Sequence, residues 1–237
     1  MRELSLFSGA GGGLLATKHL LGWTTVGYVE NEEYCQRILA QRIEDGYLDR
    51  APIFGDIREF IKSGEAREYR GFADVVTGGF PCQPFSQAGK RVGARDDRNL
   101  FPETAEVIEK VQPAFVFLEN VLGVKGLLPA IHTRLRSMGY VIPRRAVVGA
   151  ASVGGPHIRK RVWIFAYHHS LQLRDQSGRW FRQGREATEK LSRNSWWDNE
   201  PGVDRIVHGV AHGVDRLTAI GNGQVPAVAA SAWGLFS

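Results

Sequence analysis

Cysteine is nearly absent from this chain: Cys35 and Cys82 are the only two in 237 residues. Two cysteines make no disulfide framework, which points to a reducing compartment. No apolar run approaches the roughly 18 residues that a membrane-crossing helix needs. Met1-Arg2-Glu3 leads straight into "LSLFSGAGGG", too short and too glycine-rich for a secretion signal. The expectation is a cytoplasmic protein with no membrane partner. Neither sign of charge dominates, with 30 basic residues against 25 acidic and a pI near 9.4. Such a balance permits a polyanionic partner without requiring one. There is no internal repeat. What is present is enough apolar residue, 43%, to build a full globular core.

The first two-thirds alternate short apolar or β-branched runs with amphipathic stretches, the pattern of an α/β domain with a mainly parallel sheet. Strands are expected at 3–7, 24–30, 51–57, 72–79 and 114–120, and helices at 10–21, 31–43, 101–111 and 127–138. Asn31 is the expected N-cap of the second helix, with Tyr34, Ile38 and Leu39 facing inward and Cys35 as a structural thiol. "YVIPRRAVVGA" and "RVWIFAY" read as two late strands, antiparallel to each other.

From about residue 168 the hydrophobic period is lost. Arg174, Arg179, Arg182, Arg185, Lys190 and Arg193 there stand among Trp180, Phe181, Trp196 and Trp197. Two readings stay open: a solvated insertion anchored by aromatics, or a segment whose cations meet phosphates. Order returns over 215–236 as a helix, a tight turn and a helix. The chain thus divides into an α/β core (1–167), a short irregular segment (168–212) and C-terminal helices returning to the core (213–237).

"LFSGAGGG" follows a strand and opens a helix, so its glycines let backbone amides approach a ligand. Glu30, ending the second strand, is the expected partner of ribose hydroxyls. Leu14 stands where a dinucleotide fingerprint has its third glycine. A nucleoside cofactor without a pyrophosphate, such as S-adenosylmethionine, fits better than a dinucleotide, and a nucleotide-linked oxidoreductase is disfavoured. Phe7 reads as core or as a surface against the ligand; Asp56 reads as a helix cap or as an acceptor for an adenine amine. "TGGFPCQPFSQAGK" (77–90) sets Cys82 between Pro81 and Pro84, just past the fourth strand. Glu119-Asn120 closes the fifth. Both open onto the edge where such sheets bind ligands. A thiolate and a carboxyl facing a methyl sulfonium suit methylation of carbon 5 of cytosine. That carbon becomes nucleophilic only when a thiolate adds at position 6 and an acid neutralises the charge building at N3.

The ordered set "LFSGAGGG", "GDI", "GGFPCQPFSQAG", "ENV" and "IGNGQVP" resembles the DNA (cytosine-5)-methyltransferases, the compact phage and bacterial members in particular, over residues 3–166 and 215–236. The resemblance implies a Rossmann-like, S-adenosylmethionine-dependent methyltransferase fold with a mainly parallel sheet and a short, irregular recognition segment. It implies Cys82 as nucleophile and Glu119 as cytosine-binding acid. Arg159 and Arg161 would lie beside them, one on the base or catalytic loop and the other supporting the structure. Phe7, Gly9, Gly11, Glu30, Asp56 and Asn222 would line the cofactor pocket, with Ser8, Ala10, Gly12, Asn31, Ile57, Pro81 and Gly223 alongside. S-adenosylhomocysteine would be the product.

The partner implied is duplex DNA with the target base flipped out, under a closing loop at 83–100. Ser86 and Gln87 on that loop would fill the vacated stack, with Lys90, Arg91, Arg179, Arg182 and Arg185 as further DNA contacts. No obligate protein partner is implied, though a companion restriction nuclease fits the type. His157 stands where the family usually has glutamine, and reads as a hydrogen bond to the adjoining turn. The recognition region is much shorter than in relatives, so a short or degenerate target is expected. Two alternatives are cytosine-5 methylation of tRNA and a non-catalytic DNA-binding relic. The joint presence of Cys82, Glu119, Arg159 and Arg161 argues against the relic.

Overall fold

In the first strand, β1 (Arg2–Leu6), every residue after Arg2 is buried, which marks a strand covered on both faces. The computed structural model describes residues 1–81, 99–143, 145–155, 157–171, 186 and 223–236. In it β1 lies inside an eight-stranded sheet with order β3-β2-β1-β4-β5-β8-β6, and β7 also pairs with β8. The other strands are β2 (Thr24–Val29), β3 (Ile53–Phe54), β4 (Val75–Gly78), β5 (Phe115–Val121), β6 (Tyr140–Val141), β7 (Arg145–Val148) and β8 (Arg161–His168). β1 to β5 run parallel; β8 is antiparallel to β5, and β6 and β7 are antiparallel to β8. The α/β class with a mainly parallel sheet holds. No helix among the described residues is long and apolar enough to cross a membrane.

Leu4, Leu6, Val76, Val116 and Leu118 form one face of the core. It is covered by α3 (Ile57–Lys62), α4 (Glu65–Glu68), α5 (Phe101–Val111) and α6 (Leu128–Ser137). The opposite face presents Val75, Phe115, Phe117, Trp163 and Phe165 to the last helix, α7 (Pro226–Gly234). α7 is buried from Ala227 to Gly234, as a helix apolar all round must be. Its Trp233 meets Trp23, Phe117 and Phe165 edge-on, with ring centroids 4.8, 5.3 and 5.2 Å away.

Several boundaries depart from the sequence reading. The helix expected at 10–21 starts later, as α1 (Gly12–Leu15), and continues as a π-helix over Ala16–Leu20. Thr17 in that wider turn sends its hydroxyl inward to Glu3 at 2.5 Å. Asn31 is not the cap of α2 (Glu33–Glu44): Glu32 holds that position, without a side-chain hydrogen bond. Cys35 and Leu39 are the buried residues of α2, while Tyr34 and Ile38 are half-buried. The Cys35 thiol is pushed up to about 11 by burial, in keeping with an unreactive structural role. The strand expected at 51–57 shrinks to two residues, because Asp56 already caps α3; α3 and α4 were not foreseen. The strand expected from "YVIPRRAVVGA" divides into β6 and β7, since Pro143 has no N–H for the ladder.

Trp233→Ala should cost about 3–5 kcal/mol, as for other large aromatics removed from a core. Urea denaturation should show this as a lower midpoint, with the first and last segments of the chain melting together.

Candidate active site

The chain leaves β1 through left-handed backbone at Phe7 (φ 51), Gly9 (φ 56) and Gly11 (φ 89). A bulky residue such as Phe7 is rarely found there, and its neighbours pin it. Ser8 N–H donates to the Val29 carbonyl at 3.2 Å. The Ser8 hydroxyl lies 3.1 Å from the Ser5 carbonyl and 3.0 Å from the Ser5 hydroxyl. Gly9 N–H donates to Glu30 Oε2 at 2.6 Å, and Glu32 N–H to Glu30 Oε1 at 2.8 Å. Glu30 therefore fastens the glycine loop to the end of β2, a structural duty beside the one expected toward ribose. Burial raises its pKa and the backbone donors oppose the rise. Among the described residues, nothing beyond its own chain neighbours lies within 4 Å of where a Gly9 Cβ would stand, so the loop faces open space on that side.

The other expected cofactor residues divide. Asp56 is the N-cap of α3, accepting the Arg58 N–H at 2.7 Å. Ile57 points into the core. Ala10 and Pro81 are half-buried and Asn31 is exposed. Gly12 is approached by protein: a Cβ there would stand 2.5 Å from the Gln224 carbonyl.

At the other end of the same cleft, Glu119 lies near the end of β5 with 7% of its surface exposed. Arg161 Nε meets its Oε1 at 2.8 Å. β8 is antiparallel, so its first residue, Arg161, pairs with Val121 at the edge where the parallel strands end. Burial pushes the Glu119 carboxyl up to about 7, with Arg161, Arg159 and a hydrogen bond from Gln224 working against the rise. Arg159, at φ 22, donates to the Gly223 carbonyl at 2.6 Å. The two arginines thus have separate duties: Arg161 holds the carboxyl, and Arg159 holds the turn before α7. His157 lies exposed ahead of them.

Two residues escaped the sequence reading although both stand in quoted motifs. Asn120 donates to the Phe80 carbonyl at 2.9 Å and accepts the Val121 N–H at 2.8 Å, fixing the chain where it departs toward Cys82. Its signal is a polar residue beside Glu119 near the end of a strand that is otherwise apolar. Gln224 touches both ends of the cleft. A cavity of about 50 Å³ is lined by Phe7, Gly9, Gly79, Glu119 and Gln224 among others. A larger groove of about 790 Å³ lies outside α4, α5 and α6 and contains none of the expected site residues. Cys82, Ser86, Gln87, Lys90, Arg91, Arg179, Arg182, Arg185 and Asn222 lie outside the described residues.

Residues 1–210 match the family described as C-5 cytosine-specific DNA methylase. The chain belongs to that family. It is 34% identical to the type II methyltransferase M.HpaII of Haemophilus parainfluenzae, over 70% of this chain and 46% of the relative. It is 32% identical to M.NgoMIV of Neisseria gonorrhoeae, over 69% and 51%. The chain spans about half the length of these relatives.

A candidate DNA modification methyltransferase encoded within an Escherichia coli prophage has the same fold, with TM-score 0.58 and 27% identity over 76% of this chain and 50% of that one. The DNMT2 of Spodoptera frugiperda, at 19% identity, shares the fold at TM-score 0.54 over 74% and 52%. The family and fold make S-adenosylmethionine the cofactor. The open side of Gly9 and the Glu30 carboxyl at the end of β2 suit a nucleoside there.

A carboxyl whose pKa rises to about 7 on folding keeps its proton longer in the folded state. Its contribution to stability is present near pH 4.5 and is lost as pH climbs through 7. Glu119→Gln should remove that slope, leaving stability relative to the native chain higher by roughly 2–4 kcal/mol at pH 8 than at pH 4.5. Urea titrations of both chains at the two pH values check it; equal differences at both would contradict the assignment.

Proposed function

We propose that this protein methylates carbon 5 of cytosine in duplex DNA. The observation that carries the reading is the buried Glu119 carboxyl, paired with Arg161, its pKa raised by burial, in one cleft with the glycine loop. In this reading the flipped-out cytosine places N3 against Glu119, whose proton neutralises the charge developing on the ring. The Cys82 thiolate adds to carbon 6, forming an S–C bond as the ring electrons move toward carbon 5. When bound, S-adenosylmethionine supplies an electrophilic methyl on a sulfonium sulfur, which keeps the bonding pair when carbon 5 takes the methyl. Loss of the carbon 5 proton then returns electrons to the ring and expels the thiolate from carbon 6.

Phe7, Gly9, Gly11 and Glu30, with Asp56 and Asn222, would hold the cofactor. Arg161 keeps the Glu119 carboxyl aimed, and Asn120 sets the departure of the Cys82 loop. Ser86, Gln87, Lys90 and Arg91, together with Arg179, Arg182 and Arg185, would contact the DNA. A restriction nuclease is a fitting companion, since the relatives named above are type II methyltransferases.

Duplex containing 5-fluorocytosine should trap the chain covalently, because fluorine cannot leave as the carbon 5 proton does. Cys82→Ser should abolish the trapped species on a denaturing gel and Cys35→Ser should leave it. Equal trapping by the Cys82 variant would overturn the nucleophile.

A further inference from the structure

The turn leading into α7 brings Gln224 against three glycines of two different loops. Its backbone carbonyl would lie 2.5 Å from a Cβ on Gly12, and its Oε1 would overlap a Cβ on Gly13. Its Nε2 would lie 3.4 Å from a Cβ on Gly79, where Glu119 Oε2 would lie 3.0 Å away. Three missing side chains therefore make the slot in which the Gln224 amide reaches the Glu119 carboxyl. Arg161 already occupies the other oxygen, Oε1, at 2.8 Å. The Gln224 amide also interacts with this carboxyl, so two different elements meet it, β8 through Arg161 and the α7 turn through Gln224. The turn itself is anchored by Arg159 on the Gly223 carbonyl.

We infer that Gln224 is a positioning residue: together with Arg161 it orients the Glu119 carboxyl, and it ties that carboxyl to the cofactor loop through Gly12 and Gly13. This rests on the reading of Glu119 as the base-facing acid. Among the described residues, the charged groups facing Glu119 are Arg161 and Arg159, and Glu3 lines the same cavity. Glu3 hydrogen-bonds Thr17, Thr25 and Thr77, so it does not replace Gln224 as a donor. An amide N–H favours the ionised carboxylate. Its loss moves the Glu119 titration upward, and the pH at which a required proton is lost moves with it.

The test is the Glu119 titration in the full chain, read from its side-chain ¹³C signal and assigned with Glu119→Gln. Gln224→Met keeps the length and removes the donor; its midpoint should lie about half to one pH unit higher. The alkaline limb of kcat should move by the same amount, with kcat falling more than the KM for cofactor changes. Gly13→Ala, which displaces the Gln224 side chain without altering it, should shift the midpoint in the same direction. Unmoved midpoints in both variants would overturn the inference. Because the titration needs no turnover, it stands or falls separately from the Cys82 chemistry.

Discussion

A carboxyl group held almost out of water must give up its charge or be surrounded by donors, because an unpaired buried anion is too costly to keep. Glu119 meets that constraint in both ways. Burial raises its pKa to about 7, and Arg161 and Gln224 supply the donors. Much of the architecture serves this arrangement. An antiparallel β8 is what brings the start of a strand, and with it Arg161, to the edge where the parallel strands end. The C-terminal helix must return to the N-terminal glycine loop for Gln224 to arrive. Gly13 and Gly79 must lack side chains to leave it room.

A second buried carboxyl lies deeper on the same face. Glu3, 1% exposed, is satisfied by the hydroxyls of Thr17, Thr25 and Thr77 and by no cation among the described residues. Burial raises its pKa as well, while the Thr17, Thr77 and Thr25 hydroxyls oppose the rise. The π turn over Ala16–Leu20 is where Thr17 reaches Glu3, and such turns commonly appear near functional sites.

The parallel sheet, its strand positions and the placing of Cys35 and Glu119 were legible because apolar periodicity and strand-end residues encode them directly. Phe101–Val111 emerged as expected, as a helix with an unbroken apolar stripe. Boundaries set by single polar residues were less legible: Asp56 ended a strand early by capping α3, and Asn31 yielded its cap to Glu32. Gly12 read as an opening for a ligand, whereas its missing Cβ makes room for the Gln224 backbone. That contact joins residues more than two hundred positions apart, and no local pattern announces it. The division of labour between Arg159 and Arg161 likewise needed the register of β8 against β5.

Family membership rests on residues 1–210, and the chain spans about half of its type II relatives. Its chemistry is most directly tested by incubating it with tritiated-methyl S-adenosylmethionine and either duplex DNA or tRNA. Each nucleic acid is then digested and its bases separated. The account predicts label in 5-methylcytosine from the DNA. Label confined to tRNA, to an exocyclic amine, or to no base at all would contradict it.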